Sequence, residues 1–218
     1  SLSFDSGLGI NTIDEKVKTS FGKYLNKINR IGISSVIPSS ISWWNDAAMI
    51  LFKISPITIN YLTRLPVTIK IKTAQSLGAD RICNAVFAYE HFKHKENVII
   101  ADFGTANTYD VVLKNGDFVG GIIAPGISTS AKALHLNTGQ LPVTELKENA
   151  LRSPLVGKDT HEAIQSGLLN YPLYATEGIV KGIEKELKKK FKVIITGGSA
   201  KKISKKLSIK AYYVENAV

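Results

Sequence analysis

Apolar residues recur every three or four positions in several stretches of the chain, which is the spacing of one face of an α-helix. The pattern runs from Thr12 to Asn29, through GADRICNAVFAYEHF (78–92), and again around 127–136. It resumes near Thr160, and Pro172 is expected to break or kink that helix because proline lacks the N–H that a helix interior needs. Each of these four stretches therefore predicts a helix.

Strand-like runs lie between these helices. RIGISSVIPSS (30–40) predicts a short strand followed by a loop at Pro38, and 45–65 predicts a helix and then an edge strand. PVTIKIKT (66–73) alternates as a half-buried strand does. FKVIITGG (191–198) predicts a strand that leads into a helix near Ser199.

Three further strands are predicted close together, as NVIIAD, NTYDVVL and DFVGGIIAPG, between 97 and 126. The last two are joined through Asn115-Gly116, a strong hairpin signal. The polar stretch KHKEN (93–97) precedes all three and is the preferred domain boundary. We therefore expect an α/β protein with an N-terminal domain over 1–95 and a C-terminal domain over 96–218.

Composition restricts the class of protein. Of the 218 residues 44% are hydrophobic and 21% are charged, which is typical of a globular chain. Cys83 is the single cysteine, so no internal disulfide can form, and this suits a reducing compartment. There is no apolar run of membrane-spanning length and no pattern of a secretion signal. We expect a cytoplasmic protein with no membrane partner.

The net charge of +10 raises the question of a nucleic-acid partner. Ten lysines lie between Lys185 and Lys210, interleaved with helix-spaced Ile and Leu, as on a solvated helix face. The sequence carries no zinc-finger spacing and no RNA-binding aromatic motif. We therefore expect no nucleic-acid partner, and a basic surface also suits a protein that handles anionic nucleotides.

The stretch NVIIADFGTANTYDVVL (97–113) is unusual because polar residues interrupt its apolar runs. A turn at Gly104 and Thr105 would expose N–H and hydroxyl donors to phosphate oxygens, and Asp102 at its edge could hold Mg²⁺ or a monovalent cation. The alternative is a polar β-turn in which Asp and Thr cap local amides. The stretch by itself leaves both interpretations open.

Two other segments allow the same kind of choice. In TGGSAKK (196–202), Gly197 and Gly198 would let a phosphate approach the backbone, or the segment is a strand–helix turn with a serine N-cap. In LGADRICNA, Asp80 and Arg81 begin a helix, either as a favourable first-turn acid with its ion pair or as a proton acceptor beside an anion clamp. Thr160 could be no more than an N-cap. The pattern G-x-x-x-x-G-K-[ST] is absent, so nucleotide binding would need another architecture.

Seven segments of the chain are informative when they are taken together. They are ISSVIP (33–38), GADRICNA (78–85), DFGTANTYDVV (102–112), GGIIAPGISTSAKAL (120–134), TGQLP (138–142), GKDTHEAIQSG (157–167) and TGG (196–198). In order and approximate spacing they resemble the type III pantothenate kinases, from about residue 12 to the end of the chain. That family includes proteins labelled Bvg accessory factors. The resemblance implies the acetate and sugar kinase/Hsp70/actin (actin-like ATPase) fold, with two ribonuclease-H-like domains of mixed sheets flanked by helices.

The resemblance also implies a reaction, the ATP-dependent phosphorylation of pantothenate to 4'-phosphopantothenate, the first step of coenzyme A biosynthesis. Its cofactors would be ATP, Mg²⁺ and K⁺ (or NH₄⁺), and the protein would be a homodimer. Asp80 would accept the proton of the substrate hydroxyl, and Asp102 would bind K⁺. The pantothenate site would be lined by Gly78, Ala79, Arg81 and Thr160, and the nucleotide would lie near Gly104, Thr105, Gly197 and Gly198.

The chain departs from the family pattern in three places. The D-x-G-N-T loop with which the family begins is not found, and FDSGLGINT (4–12) resembles the strand that follows that loop. Ile71 stands where the family usually has a substrate-contacting tyrosine, and the chain stops at YYVENAV, where relatives continue through an apolar helix. Two expectations follow: a kinase represented by an incomplete chain, or a catalytically silent regulatory or binding protein on the same scaffold.

Overall fold

The computed structural model describes residues 10–139, 141–142, 154–215 and 217. The expectation for FDSGLGINT falls mainly outside these residues, since only 10–12 are described, and they begin a helix rather than a strand. Within the described residues the α-helices are α1 (Ile10–Phe21), α2 (Pro38–Phe52), α3 (Ala79–His91), α4 (Ile127–Asn137), α5 (Thr160–Leu187) and α6 (Ala200–Ser204).

The described strands form two sheets. The strands are β1 (Gly32–Ile33), β2 (Ile57–Thr58), β3 (Thr68–Ile69), β4 (Val98–Phe103), β5 (Ala106–Val112), β6 (Asp117–Pro125), β7 (Lys192–Thr196) and β8 (Ala211–Tyr213). A small parallel sheet pairs β1 with β2, and a mixed sheet has the order β3-β6-β5-β4-β7-β8. In the mixed sheet β4, β5 and β6 are consecutive antiparallel neighbours, whereas β7 and β8 continue parallel to β4. Mixed sheets flanked by helices are thus confirmed.

The central strand β4 is covered on both faces, and this explains its nearly continuous apolar run. Alternate residues of a strand point to opposite faces. Val98 and Ile100 therefore pack with α3 in one cluster, whereas Ile99 and Ala101 pack with α5 in another. Helix α3 contributes its apolar stripe to the first cluster through Ile82, Ala85 and Ala88, all essentially inaccessible to solvent.

The N-terminal elements differ from expectation in two respects. Pro38 and the serines after it do not form a loop but open α2, which suits proline because the first turn of a helix leaves its N–H groups unpaired anyway. Val17 and Phe21 of α1 pack against Ala47 and neighbouring residues of α2. The predicted helix over 12–29 ends earlier, at Phe21, and a 3₁₀ helix over Gly22–Lys27 replaces its second half.

Pro172 does not break α5, which continues from Thr160 to Leu187 with the proline buried inside it. The proline carbonyl accepts a hydrogen bond from the Thr176 hydroxyl at 2.6 Å, and Thr176 also hydrogen-bonds the Tyr109 hydroxyl at 2.9 Å. These two hydrogen bonds connect α5 to β5 near Pro172, which has no backbone N–H to donate within the helix. Packing of this kind outweighs the local preference of the residue.

Strand β8 has no counterpart among the predicted elements. It is a three-residue strand that extends the sheet beside β7. Strand β3 precedes residue 96 yet pairs with β6, which follows it. The division into domains at 95/96 stays a prediction. Among the helices that the structure describes, none combines the length and apolar character needed to span a bilayer.

Candidate active site

Polar side chains replace the apolar ones at one end of the sheet face that α3 covers. Asp102 continues the row of Val98 and Ile100 on β4, and its cross-strand neighbours are Thr108 on β5 and Thr196 on β7. Asp110, on the same face of β5, lies opposite Ile100. The acids that interrupt this segment therefore line the edge of the α3 interface instead of disturbing the α5 side of the core.

Helix α3 brings its own polar residues to this end of the sheet. Gly78 is its N-cap, in an extended conformation, and Asp80 lies in the first turn, where a negative charge is favoured by the helix dipole. The Asp80 carboxylate accepts the Arg81 N–H at 2.8 Å and folds back over Gly78, where a Cβ would collide with its oxygen. The glycine therefore leaves room for the acid two positions later.

Arg81 does not pair with its neighbour Asp80. Its Nε donates to Oδ1 of Asp110 at 2.8 Å, and its Nη2 donates to the same oxygen. Asp110 is fully buried, and its other oxygen, Oδ2, has no hydrogen-bond partner among the described residues. The interpretation of Arg81 as the ion pair of Asp80 is therefore wrong.

Burial dominates the electrostatics of Asp110. It raises the pKa of the Asp110 carboxyl from 3.8 to about 6, although Arg81 acts in the opposite direction by hydrogen bond and charge. The negative charges of Asp80 and Asp102 contribute to the same rise. The Asp110 carboxylate thus pairs with one guanidinium and is repelled by two other carboxylates.

Asp102 is held by α3 as well. Its Oδ2 accepts a hydrogen bond from the Asn84 side chain at 2.8 Å. Burial raises the pKa of the Asp102 carboxyl, the Asn84 hydrogen bond lowers it, and the charge of Asp80 raises it again. Asp102 does not cap a local amide, as the turn interpretation proposed, but is positioned for a contact beyond its own strand.

The turn after β7 is packed directly against Asp102. Gly197 has a φ of 96°, a conformation that residues with a side chain rarely adopt. A Cβ at this position would collide with Oδ1 of Asp102 and lie 2.7 Å from the N atom of Phe103. Ser199 occupies the N-cap of α6, but its side chain makes no capping hydrogen bond. Gly197 therefore allows this turn to lie close to β4, whereas Ser199 adds no capping hydrogen bond to α6.

The turn between β4 and β5 is also fixed by backbone contacts. The Gly104 N–H donates to the Ala106 carbonyl at 3.1 Å, so this amide is used within the turn. The Thr105 carbonyl accepts the Gly126 N–H at 3.0 Å and the Thr129 hydroxyl at 2.7 Å. The side chain of Thr105 is exposed and available to a phosphate.

Thr160 lies apart from these contacts. It is the exposed first residue of α5, and Asp159 is the N-cap, because its carboxylate accepts the Glu162 N–H at 2.8 Å. Glu162 in turn accepts the N–H of Lys158, the residue before the N-cap. The interpretation of Thr160 as an N-cap is therefore wrong. In the part of the chain that the structure describes, no hydrogen bond joins Thr160 to Asp80 or Arg81.

Sequence reasoning missed Asn84 and Asp110 as members of this site. Asn84 was within reach of the helix pattern, since it lies four positions after Asp80 and shares its face. Asp110 could be assigned to the site only from the register of β4 with β5, and its partner Arg81 lies 29 residues away in the sequence. Within the described ranges no three His, Cys, Asp or Glu side chains are arranged to hold a metal ion by themselves.

The sequence of the chain is similar to the sequences of one protein family. Residues 8–182 match the family model for type III pantothenate kinase. The chain is 37% identical over 216 residues to a type III pantothenate kinase of Sulfurihydrogenibium sp. (strain YO3AOP1), covering 96% of this chain and 83% of the relative. A second such kinase, from Petrotoga mobilis, is 35% identical over 212 residues, covering 97% and 81%.

A solved structure shares the fold. The crystal structure from Campylobacter jejuni, described as a conserved Baf family transcriptional activator, aligns with a TM-score of 0.50 and 21% identity. The alignment covers 89% of this chain and 81% of the other. At this identity the similarity concerns the architecture alone.

The contact between Gly197 and Asp102 can be tested with a neighbouring glycine as control. Gly197→Ala should lower the free energy of unfolding by about 2 kcal/mol or more, because φ is positive and the new Cβ collides with β4. Gly198→Ala meets nothing within 4 Å and should change it by less than about 0.5 kcal/mol. Urea denaturation measures both, and equal losses would contradict the described packing.

The raised pKa of Asp110 predicts a pH-dependent stability difference. The folded state binds this proton more tightly than the unfolded state, so the parent should lose stability as pH rises from about 4 through 6. A rise from 3.8 to about 6 corresponds to on the order of 3 kcal/mol. Asp110→Asn lacks this contribution, whereas Asp80, Arg81 and Asp102 are present in both proteins. Urea titrations from pH 4 to 7 should therefore show the free energy of unfolding of the variant rising relative to that of the parent. Parallel pH curves for the two proteins would contradict the raised pKa of Asp110.

Proposed function

Since the chain belongs to the type III pantothenate kinase family, we propose that it transfers the γ-phosphoryl group of ATP to the primary hydroxyl of pantothenate. The product would be 4'-phosphopantothenate, and the reaction would be the first step of coenzyme A biosynthesis. One structural observation carries the proposal. Asp80 at the N-terminus of α3 shares a polar site with Arg81 and with Asp102, at the carboxyl ends of two parallel strands.

Asp80 is the proposed proton acceptor. Phosphoryl transfer needs mainly positioning, charge neutralisation and a base near the attacking hydroxyl. The backbone of α3 holds the Asp80 carboxylate through the Arg81 N–H, and Gly78 leaves the space that the carboxylate occupies. Gly78, Ala79, Arg81 and Thr160 would line the pantothenate site, with Arg81 as donor to an anionic oxygen.

ATP would lie across two turns. The turn at Gly104 and Thr105 follows β4, and the turn at Gly197 and Gly198 follows β7, its parallel neighbour. Turns with little side-chain bulk let phosphate oxygens approach the backbone. The exposed Thr105 side chain is proposed to donate a hydrogen bond to a phosphate oxygen of ATP. Thr105 follows closely after Asp102 in the sequence, just beyond the end of β4.

Asp102 fits a monovalent cation, K⁺ or NH₄⁺. Its carboxylate is half-buried, is repelled by Asp80 and has threonine neighbours on both adjoining strands. A cation there would neutralise part of this negative charge and share the phosphate oxygens. Mg²⁺ usually binds through few carboxylates and the phosphates of its nucleotide, so we propose that it enters with ATP and assign it no protein residue.

Other parts of the proposal concern the assembly and its surroundings. A homodimer is implied by the resemblance, and exposed Tyr171 and Tyr174 on α5 are candidates for its interface. The single cysteine favours a reducing cytoplasm. The regulatory alternative has no specific observation in its favour, because the similarity to the Campylobacter jejuni protein concerns the architecture alone.

Asp80→Asn tests the proposed function in an assay of pantothenate-dependent ADP release with ATP, Mg²⁺ and K⁺. The variant should lose about 10²-fold or more in kcat, because the proton acceptor is replaced by an amide of the same shape. Its melting temperature should stay within a few degrees of the parent. Asp46→Asn, on the exposed face of α2, is the matched control and should retain full turnover. A near-normal rate in Asp80→Asn would rule out this role.

Asp102→Ala tests the cation role. We expect lower turnover and a weaker response to K⁺, since the proposed anionic ligand is removed. The measurement is ADP release as K⁺ replaces a large organic cation at constant ionic strength. If the variant kept the K⁺ response of the parent, Asp102 would not be the cation ligand.

A further inference from the structure

We propose that Asp110 is a positioning residue for the kinase reaction: it fixes the guanidinium of Arg81 in one orientation, so that a free donor edge of Arg81 serves an anionic oxygen beside Asp80. The proposal rests on the proposed function for the reaction itself. Asp110 contacts neither substrate in the proposed function and acts through Arg81.

The contact is directional. A guanidinium is planar and offers its donors in a fixed fork, so two bonds on one edge determine its plane. Nε and Nη2 of Arg81 both donate to Oδ1 of Asp110, and the Arg81 side chain is 15% exposed while that of Asp110 is 0% exposed. Nη1 makes no hydrogen bond within the residues that the structure describes. The remaining donors are thus left on the edge that Asp110 does not occupy.

The surroundings of the pair limit its movement. Gly121 on β6 lies opposite Asp110 in the strand register. A Cβ on Gly121 would lie 2.8 Å from Oδ1 of Asp110 and 3.0 Å from Nη2 of Arg81, and it would collide with the Tyr109 carbonyl. The Phe118 ring lies 5.7 Å from Cζ of Arg81, within the range of a cation–π contact. The missing side chain of Gly121 therefore leaves the space that the pair occupies, and the Phe118 ring covers one side of the guanidinium.

The cost of the buried acid argues against a purely structural role. Asp110 lies beside Ile100 and Val112, both completely buried. A buried ion pair often contributes no more to stability than apolar residues of similar volume would. Here Oδ2 has no partner and two other carboxylates repel the group. Holding Arg81 accounts for an acid at a position where packing alone favours an apolar residue.

A double-mutant cycle tests the coupling. Asp110→Asn and Arg81→Lys should each lower kcat/KM for pantothenate by about tenfold or more. The kcat/KM of the double variant should be no lower than that of the more impaired single variant, because Asp110 acts through Arg81. Tyr109→Phe is the control: it removes a buried hydroxyl from the adjacent position on the opposite face of β5 and should leave kcat/KM within about twofold. Losses that multiply in the double variant would overturn the proposal.

Proton exchange at Arg81 Nε provides a readout that does not need turnover. The sequence has four arginines, so the Nε–Hε signals are few, and Arg81→Lys identifies the one that disappears. In Asp110→Asn the exchange with water should accelerate about tenfold or more, with no change in Tyr109→Phe. An unchanged exchange rate would overturn the proposal. A parent protein without pantothenate-dependent turnover would instead contradict the proposed function, and the exchange rates would still decide whether Asp110 orders Arg81.

Discussion

The packing of α3 against one face of the central sheet is the constraint on which the candidate site depends. Ile82, Ala85 and Ala88 are buried against the face that includes Ile100 and Ile194. This apolar contact fixes both the rotation and the axial position of the helix. Because the helix begins at Ala79, the same contact places its polar first turns over the end of β4. A shift of one residue along the helix would rotate Asp80 away from Asp102 by about 100°.

The charge balance that results makes the site dependent on its ligands. Asp80, Asp102 and Asp110 interact with one another, and Arg81 neutralises part of this charge through its ion pair with Asp110. Burial and mutual repulsion raise the pKa of both Asp102 and Asp110. ATP would bring further negative charge to this region. The proposed phosphoryl transfer would therefore require cations, because the fold assembles acids where ATP would bind.

The sequence predicted the parts of the molecule that local patterns determine. The strands β4, β5 and β6, the turn at Gly116 and the start of α3 follow from alternation, hairpin chemistry and helix spacing. It did not predict the pairing of Arg81 with Asp110, because this contact depends on how a helix and a hairpin pack over 29 residues of separation. Strand β8 was missed because three residues are too few to show a period, and they gain their order from β7.

Architecture and chemistry are determined by different residues in this chain. The Campylobacter jejuni structure shares the architecture at 21% identity, and a shared architecture by itself does not specify a reaction. The apolar contacts between α3 and the sheet would survive many exchanges among Val, Ile and Leu. The polar end is less tolerant, since Gly78 and Gly197 leave space only because they lack a side chain. Under the proposed function, catalysis on this scaffold depends on the presence of Asp80, Arg81 and Asp102 together with the glycines that accommodate them.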